Sequence, residues 1–469
     1  MKNLHLVCPQ CHTPLPGENC PGCLEVYPKL GDIPWVVPQP KAHLQDWAMR
    51  YRLSLQVLDE EINNLKAHGK KSVTLSATPK RLQRLLQAKI ENKKYLEELL
   101  APLVKQGAST AELYKAGGIS VPPSQTLTGY YHNIHRDWSW DTDENAQSLD
   151  CIVRLIAEIP QSMSPLGKTV VLGCGAGRLG YDLHQTGLAK ETYLLDFNPL
   201  MLIVAHRMMQ RRSLKLFEFP LAPRTLGDAQ VLRKLSAPHP PLPNLFILAG
   251  DALKTPFAHG SVDTVVTPWL VDILPVDARI LIDEIARILR PGGLWIYFGS
   301  MTFNHKQISL NYSPEEFHEL LGSLSFTIEK SENRIIPYMG SPASNHSRLE
   351  RVTTLISRWN PSLTNQTSES TGTLHQIQKS GSLNSAPDNL PPWLIEFDLP
   401  VPRTPQIQSK NLVHQISAQL LSLVDGQRSL RQMAERCTEM GLLQHDEAEA
   451  YWFRFLKRLH LEEGSLQGF

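Results

Sequence analysis

The chain contains no apolar run that approaches the length of a membrane span, which takes about 20 predominantly apolar residues. Its first residues, Met1-Lys2-Asn3-Leu4-His5-Leu6-Val7-Cys8, lack the apolar stretch of a secretory signal. It also lacks an excess of charge of either sign, with 47 Lys and Arg against 46 Asp and Glu. A dedicated nucleic-acid binder shows a basic surplus, at least locally, so this balance argues against that class. Cysteine is scarce, seven in 469 residues, and four of the seven fall within the first 23 positions. Clustered rather than spread cysteines point to metal ligands in a reducing compartment, not to disulfides. Together these absences lead us to expect a soluble cytoplasmic protein of roughly two to four domains.

What is present divides the chain into five segments. Residues 1–38 form a small cysteine module. Residues 41–116 read as helical: one segment runs from Leu44 to Leu65, and a second, from Pro79 to Val104, carries Leu82, Leu85, Leu86, Ile90, Leu96, Leu99 and Leu100 at helical spacing. Residues 125–345 alternate short apolar strands with helical patterns, the mark of an α/β domain with a mostly parallel sheet. The expected strands are Thr169–Gly173, Thr192–Asp196, Leu245–Ala249, Val262–Thr267 and Leu294–Gly299. A Pro-rich insertion from Pro220 to Pro243 is expected to run over the surface. Residues 361–405 are rich in Ser, Thr, Asn, Gln and Pro and read as a disordered linker. Residues 406–469 regain apolar periodicity and read as a small helical domain.

Cys8-x2-Cys11-x8-Cys20-x2-Cys23 predicts a zinc ribbon. Two Cys-Pro-x-Cys knuckles each turn two thiolates towards one ion, and four sulfurs close a tetrahedral site with no open position, so the metal is structural. A segment this small buries too little apolar surface to fold alone, and metal binding supplies the difference.

Residues 170–180, Val-Val-Leu-Gly-Cys-Gly-Ala-Gly-Arg-Leu-Gly, end an apolar run in three alternating glycines and open a helical pattern. That is the strand–turn–helix of a nucleotide-binding unit, in which Gly173, Gly175 and Gly177 let a ligand approach the backbone. Ligands of such sheets bind beyond the carboxyl ends of the strands. Asp196 closes the second strand there and suits a pair of ribose hydroxyls, although a helix N-cap ahead of Asn198-Pro199 is the competing reading. Asp251, after the third strand, suits an adenine amine. The tight Gly-x-Gly-x-Gly and the Pro291-Gly292-Gly293 turn favour S-adenosylmethionine over a dinucleotide. Most methyltransferases of this kind place an acid two residues before the first glycine, and here that position is Val171. Arg178 is then a candidate for the carboxylate of the cofactor's amino-acid end, or simply a structural arginine.

Four segments together resemble the carnosine N-methyltransferase family. They are Arg136-Asp137-Trp138-Ser139 followed by Glu144-Asn145 and Ser148-Leu149-Asp150, the loop Gly173 to Leu179, the long insertion before Gly250-Asp251, and Asp263 to Asp272 leading into Ile288 to Ile296. The resemblance covers roughly residues 44–335 and implies a Rossmann-like class I methyltransferase that uses S-adenosylmethionine. It implies that the acid matching Asp272 orients the substrate, with a helix N-cap as the alternative. A carboxylate that accepts the N–H of one imidazole nitrogen leaves the lone pair on the other. Trp269 is a candidate wall of the substrate site. At the family's histidine after the fifth strand stand Asn304 and, one residue on, His305, and the family's tyrosine-rich last strand has no counterpart in Arg348-Leu349-Glu350-Arg351-Val352. Those two departures argue against carnosine itself and leave another amine, imidazole or peptide as acceptor.

Two smaller resemblances flank the central one. Tyr27-Pro28 and Gly31-Asp32-Ile33-Pro34 are similar to the end of a zinc-ribbon subunit that activates several methyltransferases, with the Gly and Asp exchanged, which implies a stabilising or docking module. Leu423-Val424-Asp425-Gly426-Gln427-Arg428-Ser429 is similar to winged-helix-like modules that recognise peptides, which implies peptide or protein docking through residues 406–469. An RNA base methyltransferase and a non-catalytic S-adenosylmethionine-binding scaffold remain alternatives. The neutral charge and the lack of an Asn/Asp-Pro-Pro-Tyr motif weigh against RNA.

Overall fold

The computed structural model describes residues 6–68, 75–105, 127–159, 166–305, 307–361, 423–439, 448–453 and 455–456. The chain forms two compact units. One comprises Met1–His43, Glu61–Lys105 and Pro122–Thr367; the other comprises Leu44–Glu60, Gln106–Val121 and Ser368–Phe469. No helix among the described residues is long and apolar enough to cross a membrane.

The first unit is built on a seven-stranded sheet. In chain order its strands are β3 (Gly167–Leu172), β4 (Ala189–Asp196), β7 (Leu245–Ala249), β8 (Val262–Pro268), β9 (Leu289–Gly299), β10 (Phe326–Tyr338) and β11 (Arg348–Trp359). Across the sheet they lie β10-β11-β9-β8-β3-β4-β7. The five from β9 to β7 are parallel, and β11 turns antiparallel between β9 and β10. The chain leaves β3 outwards to β4 and β7, then returns to β8 and β9 on the other side. The order therefore reverses beside β3, and the crevice at the carboxyl end of that strand is where a doubly wound sheet binds its ligand. Val170, Val171 and Leu172 are all buried, as a central parallel strand covered on both faces requires.

Helices flank and connect the parallel strands, except between β7 and β8, where residues 250–261 hold none. They are α3 (Tyr131–Trp138) and α4 (Glu144–Ala157) before β3, α5 (Arg178–Gln185), α6 (Pro199–Met209), α7 (Ala278–Ile288) and α8 (Pro314–Ser323). Three of them, α6, α7 and α8, start on a side-chain cap. Asn198 caps α6 by accepting the Leu200 amide at 3.0 Å, with Pro199 in the first turn. Ser313 and Glu316 form a capping box on α8. The apolar stripe Leu281, Ile282, Ile285 and Ile288 of α7 is fully buried.

All five expected strands are present, with three differences. The Pro291–Gly293 segment lies inside β9, which starts at Leu289; a register shift between Val262 and Thr264 and the positive φ of Gly292 absorb the extra residues. The Pro-rich insertion holds a strand, β6 (Val231–Leu235), paired antiparallel with β5 (Leu214–Glu218). The sheet also runs past residue 345, because β11 ends at Trp359.

The cysteine module caps the edge of the sheet. A two-stranded ribbon, β1 (Lys29–Leu30) and β2 (Ile33–Pro34), leads into Trp35, which bridges Ala249 in parallel, and the Val36 amide donates to the Ala249 carbonyl at 2.9 Å. The Val7 amide donates to Pro256 at the same length. Leu6, Leu15, Tyr27 and Val36 share one buried cluster with Leu195, Leu248 and Phe257. The unpaired side of β7 is thus covered, as an exposed edge strand requires. The two long helices expected before the sheet are α1 (Pro40–His68) and α2 (Ala77–Lys105), joined by an ion pair between Glu61 and Lys89 at 2.7 Å.

In the second unit the described residues include α9 (Leu430–Glu439) and a helical stretch over 448–453. Leu423, Val424, Leu430, Met433, Ala434, Cys437, Trp452 and Leu456 form its buried cluster. Asp425 accepts the Gln427 and Arg428 amides ahead of Gly426 and Ser429, which explains the Asp-Gly-x-Arg-Ser pattern as a turn into α9. The expected linker over 361–405 lies, but for its first residue, outside the described residues.

Candidate cofactor and substrate site

The glycine loop sits at the carboxyl end of β3, at the reversal of strand order. Gly175 has φ +57° and open space where a Cβ would stand, so a side chain would be strained and would fill the cradle. At Gly173, φ +67°, a Cβ would come within 2.9 Å of Leu270. The loop is fastened from three sides. The Cys174 amide donates to Leu195, the Gly175 amide donates to Asp196 Oδ2 at 2.8 Å, and Trp138 Nε1 donates to the Ala176 carbonyl at 2.9 Å.

Asp196 ends β4 beside that loop. Its other oxygen accepts the Phe197 and Asn198 amides at 2.8 and 2.9 Å. Asn198, not Asp196, is the cap of α6, so the carboxylate joins the loop to the strand rather than capping the helix. Burial pushes its pKa up, against those three amides. Asp251 follows β7; one oxygen accepts the Leu253 amide at 2.9 Å, and burial raises its pKa too. Arg178 is committed to the protein. Its Nε reaches both oxygens of Asp182 at 2.7 and 2.9 Å, and Nη1 donates to the Asp137 carbonyl at 2.7 Å.

Beyond β8, Asp272 lies in a short 3-10 turn, Val271–Ile273. It is only 7% exposed. Oδ2 accepts the Thr302 amide at 2.9 Å and the Ser300 hydroxyl at 3.3 Å, both from the loop after β9. Oδ1 has no hydrogen-bond partner among the described residues. One oxygen therefore fixes the carboxylate, and the other is left as an acceptor at the carboxyl end of the sheet. Trp269, with φ +53°, stands against Phe298 and Tyr338, with ring centroids 5.6 and 4.7 Å apart. Asn304 is exposed; His305 is half-buried and tied through its backbone to Asn311.

Tyr338 was not legible as a site residue. It ends β10 opposite Arg348, whose guanidinium lies 4.5 Å from its ring centroid, and Arg136 approaches to 6.0 Å. Tyr130 senses both Tyr338 and Asp196, and burial raises its phenol pKa. An aromatic at the end of a strand that pairs beside the last one was the only available signal.

The four cysteines of the module converge, with their sulfurs all within 4.8 Å of one another. Cys8 and Cys23 are 3.6 Å apart, and Cys11 and Cys20 are 3.4 Å apart. Four thiolates at the usual Zn–S length define a tetrahedron with edges of about 3.8 Å, so the donor set and its spacing fit one zinc ion.

The strand order, the glycine loop at the reversal and the acidic ends of β4 and β7 define a class I S-adenosylmethionine-dependent methyltransferase fold. Residues 124–349, just under half of the chain, match the family model of carnosine N-methyltransferases. The chain is 28% identical over 241 residues to a carnosine N-methyltransferase of Dictyostelium discoideum, covering 46% of this chain and 51% of that protein. It is 29% identical over 243 residues to the carnosine N-methyltransferase unmet of Drosophila melanogaster, covering 45% and 50%. The chain thus spans about half the length of these curated relatives. The solved N-methyltransferase NodS of Bradyrhizobium japonicum, in complex with S-adenosyl-L-homocysteine, aligns with a TM-score of 0.30 at 15% identity, covering 49% of this chain and 98% of that one.

Proposed function

We propose that the chain transfers a methyl group from S-adenosylmethionine to a nitrogen of a small amine or imidazole compound, or of a peptide side chain. The observation that carries this reading is the pinned carboxylate of Asp272, with Oδ1 unpartnered, beside the aromatic wall of Trp269. S-adenosylmethionine, when bound, supplies an electrophilic methyl on a sulfonium. Gly175 gives it backbone approach, whereas a Cβ at Gly173 would meet Leu270 and one at Gly177 would meet Ala205 and Leu194, so these two glycines set the path of the loop. Asp196 and Asp251 accept from its ribose and adenine. Asp272 accepts the acceptor's N–H and holds the nitrogen lone pair in the productive direction; positioning of this kind supplies roughly 7–11 kcal/mol of a barrier. The indole face of Trp269 favours a cationic methyl donor.

Cys8, Cys11, Cys20 and Cys23 hold a structural zinc in this reading, supported by their spacing and convergence. Reduced thiols in that role agree with a cytoplasmic location. Residues 406–469 act as a docking module for a peptide or protein.

The test is calorimetric titration of S-adenosylmethionine and S-adenosylhomocysteine, followed by methyl transfer to histidine-containing dipeptides, free amines and RNA. Tight binding with transfer to a dipeptide or amine is expected. Transfer to RNA alone, with a steep salt dependence, would replace this reading, and binding without transfer to any acceptor would leave a scaffold.

A further inference from the structure

The acid that methyltransferases of this fold usually carry two residues before the first glycine is absent, and Val171 in its place is buried within β3. The cofactor's amino-acid end still brings an ammonium group, and with the sulfonium the ligand is a net cation. A positive group entering an enclosed site requires a carboxylate there.

The helix α3 brings one to the loop from outside the sheet. Trp138 donates to the Ala176 carbonyl, and the Asp137 carbonyl receives Arg178, so Asp137 flanks the stretch Ala176–Arg178. Its side chain is 4% exposed. Arg136 makes its short contacts, from Nε and Nη2 at 2.8 Å each, to a single oxygen, Oδ1. The charges around it do not balance. Arg178 is matched by Asp182. Arg136 lies between two carboxylates, Asp137 and Glu144, the second at 3.7 Å. Glu144 is equally buried, and its Oε2 has no partner among the described residues. The buried cluster of Arg136, Asp137 and Glu144 holds two carboxylates to one guanidinium, and burial pushes the pKa of both acids up despite their backbone donors, so a further cation beside them is favoured.

We infer that Asp137 is the carboxylate that holds the α-ammonium of the bound cofactor, taking over the role of the acid missing at position 171. This rests on the reading that the domain binds S-adenosylmethionine. Glu144 acts through Arg136: it shares the guanidinium and so leaves Asp137 with unspent negative charge. It is a positioning residue.

The experiment compares S-adenosylhomocysteine with its desamino analogue, in which hydrogen replaces the α-amino group, by calorimetry on the full chain. The wild type should prefer S-adenosylhomocysteine by about 10- to 100-fold, the range of a charge-assisted hydrogen bond. In Asp137→Asn the preference should fall to within about 3-fold, because only the amino-bearing ligand loses a partner. Glu144→Gln should lower the preference in the same direction by a smaller factor. Equal affinity of the wild type for both ligands would overturn the inference without any variant, and so would an Asp137→Asn protein that weakens both ligands alike. A folded wild type that binds neither ligand would remove the cofactor reading itself, a result distinguishable from the other two.

Discussion

The Gly175 amide donates to Asp196 Oδ2 at 2.8 Å, so the glycine loop and the carboxyl end of the neighbouring strand are fastened to one another before any ligand arrives. The loop's conformation is therefore held by the same carboxylate expected to receive the ribose. Asp196→Ala would orphan three amides, those of Gly175, Phe197 and Asn198, each at a cost of about 1–3 kcal/mol where water cannot replace the acceptor. We expect S-adenosylhomocysteine binding to weaken by at least about 100-fold and the thermal midpoint to fall with it. Calorimetry and a melting curve on the same sample check both. Unchanged binding in a folded Asp196→Ala protein would place the adenosine elsewhere.

The cysteine module makes a separable prediction. The purified chain should carry about one zinc ion, by elemental analysis, bound by four thiolates. Chelation under reducing conditions should release the ribbon that covers β7 through Val36 and Ala249. An uncovered edge strand pairs with other chains, so the stripped protein should show a lower thermal midpoint and concentration-dependent aggregation. Cys11→Ser should reproduce this without chelator. A metal-free chain with an unaltered melting curve would show that the ribbon folds on its apolar contacts alone.

His135 sets an acid-side limit on stability. It is fully buried in α3, Nε2 has no partner among the described residues, and burial first, then the charges of His132 and Arg233, push its pKa down to about 3. The folded value lies below the unfolded one near 6.5. The contribution is thus fully present above pH 6.5 and is lost as pH falls from there towards 3. Between pH 7.5 and pH 5 this one group should remove on the order of 2 kcal/mol of unfolding free energy. Urea denaturation at the two pH values measures it, and His135→Gln should flatten the difference. The carboxylates of Asp137, Glu144, Asp196 and Asp251 act in the opposite sense. Burial raises their folded pKa values, so their protonation favours the fold as pH drops through the carboxylate range.

The legible parts were those with a local signature. Val170–Leu172 and the glycines after it form a continuous apolar run ended by a turn, and Asn198-Pro199 announces the start of α6. β10 was not legible, because of its thirteen residues only Phe326 and Ile336 are buried. A mostly polar strand at the sheet edge carries neither a continuous apolar run nor a clean alternation. β6 was hidden inside prolines that flank it rather than interrupt it. Within the site, Asp196, Asp251 and Asp272 were found as strand-end acids. Their partners were not, because the Ser300–Thr302 loop and Tyr338 reach Asp272 and Trp269 only through the order of the strands. Arg178 shows the converse: a cation after a glycine loop suits a ligand carboxylate, but Asp182, one helical turn on, already accepts it.

Substitution of Asp272 is expected to separate the chemistry from cofactor binding. Its Oδ2 is held by the Thr302 amide and the Ser300 hydroxyl, and Oδ1 is the acceptor left over. Asp272→Asn keeps the shape but gives up either the amide bond to Thr302 or the second acceptor, since one side of the new group can only donate. A substrate N–H would then meet an N–H, and the nitrogen lone pair would no longer be held in line. Loss of orientation of this size lowers turnover by about 100-fold or more, whereas S-adenosylhomocysteine, which makes no contact with this carboxylate in the proposed arrangement, should bind as before. Radiolabelled methyl transfer and calorimetry on the same preparation give the two numbers. An Asp272→Asn protein that turns over normally would remove the carboxylate from the reaction, and one that loses both activities would recast it as a support of the loop after β9.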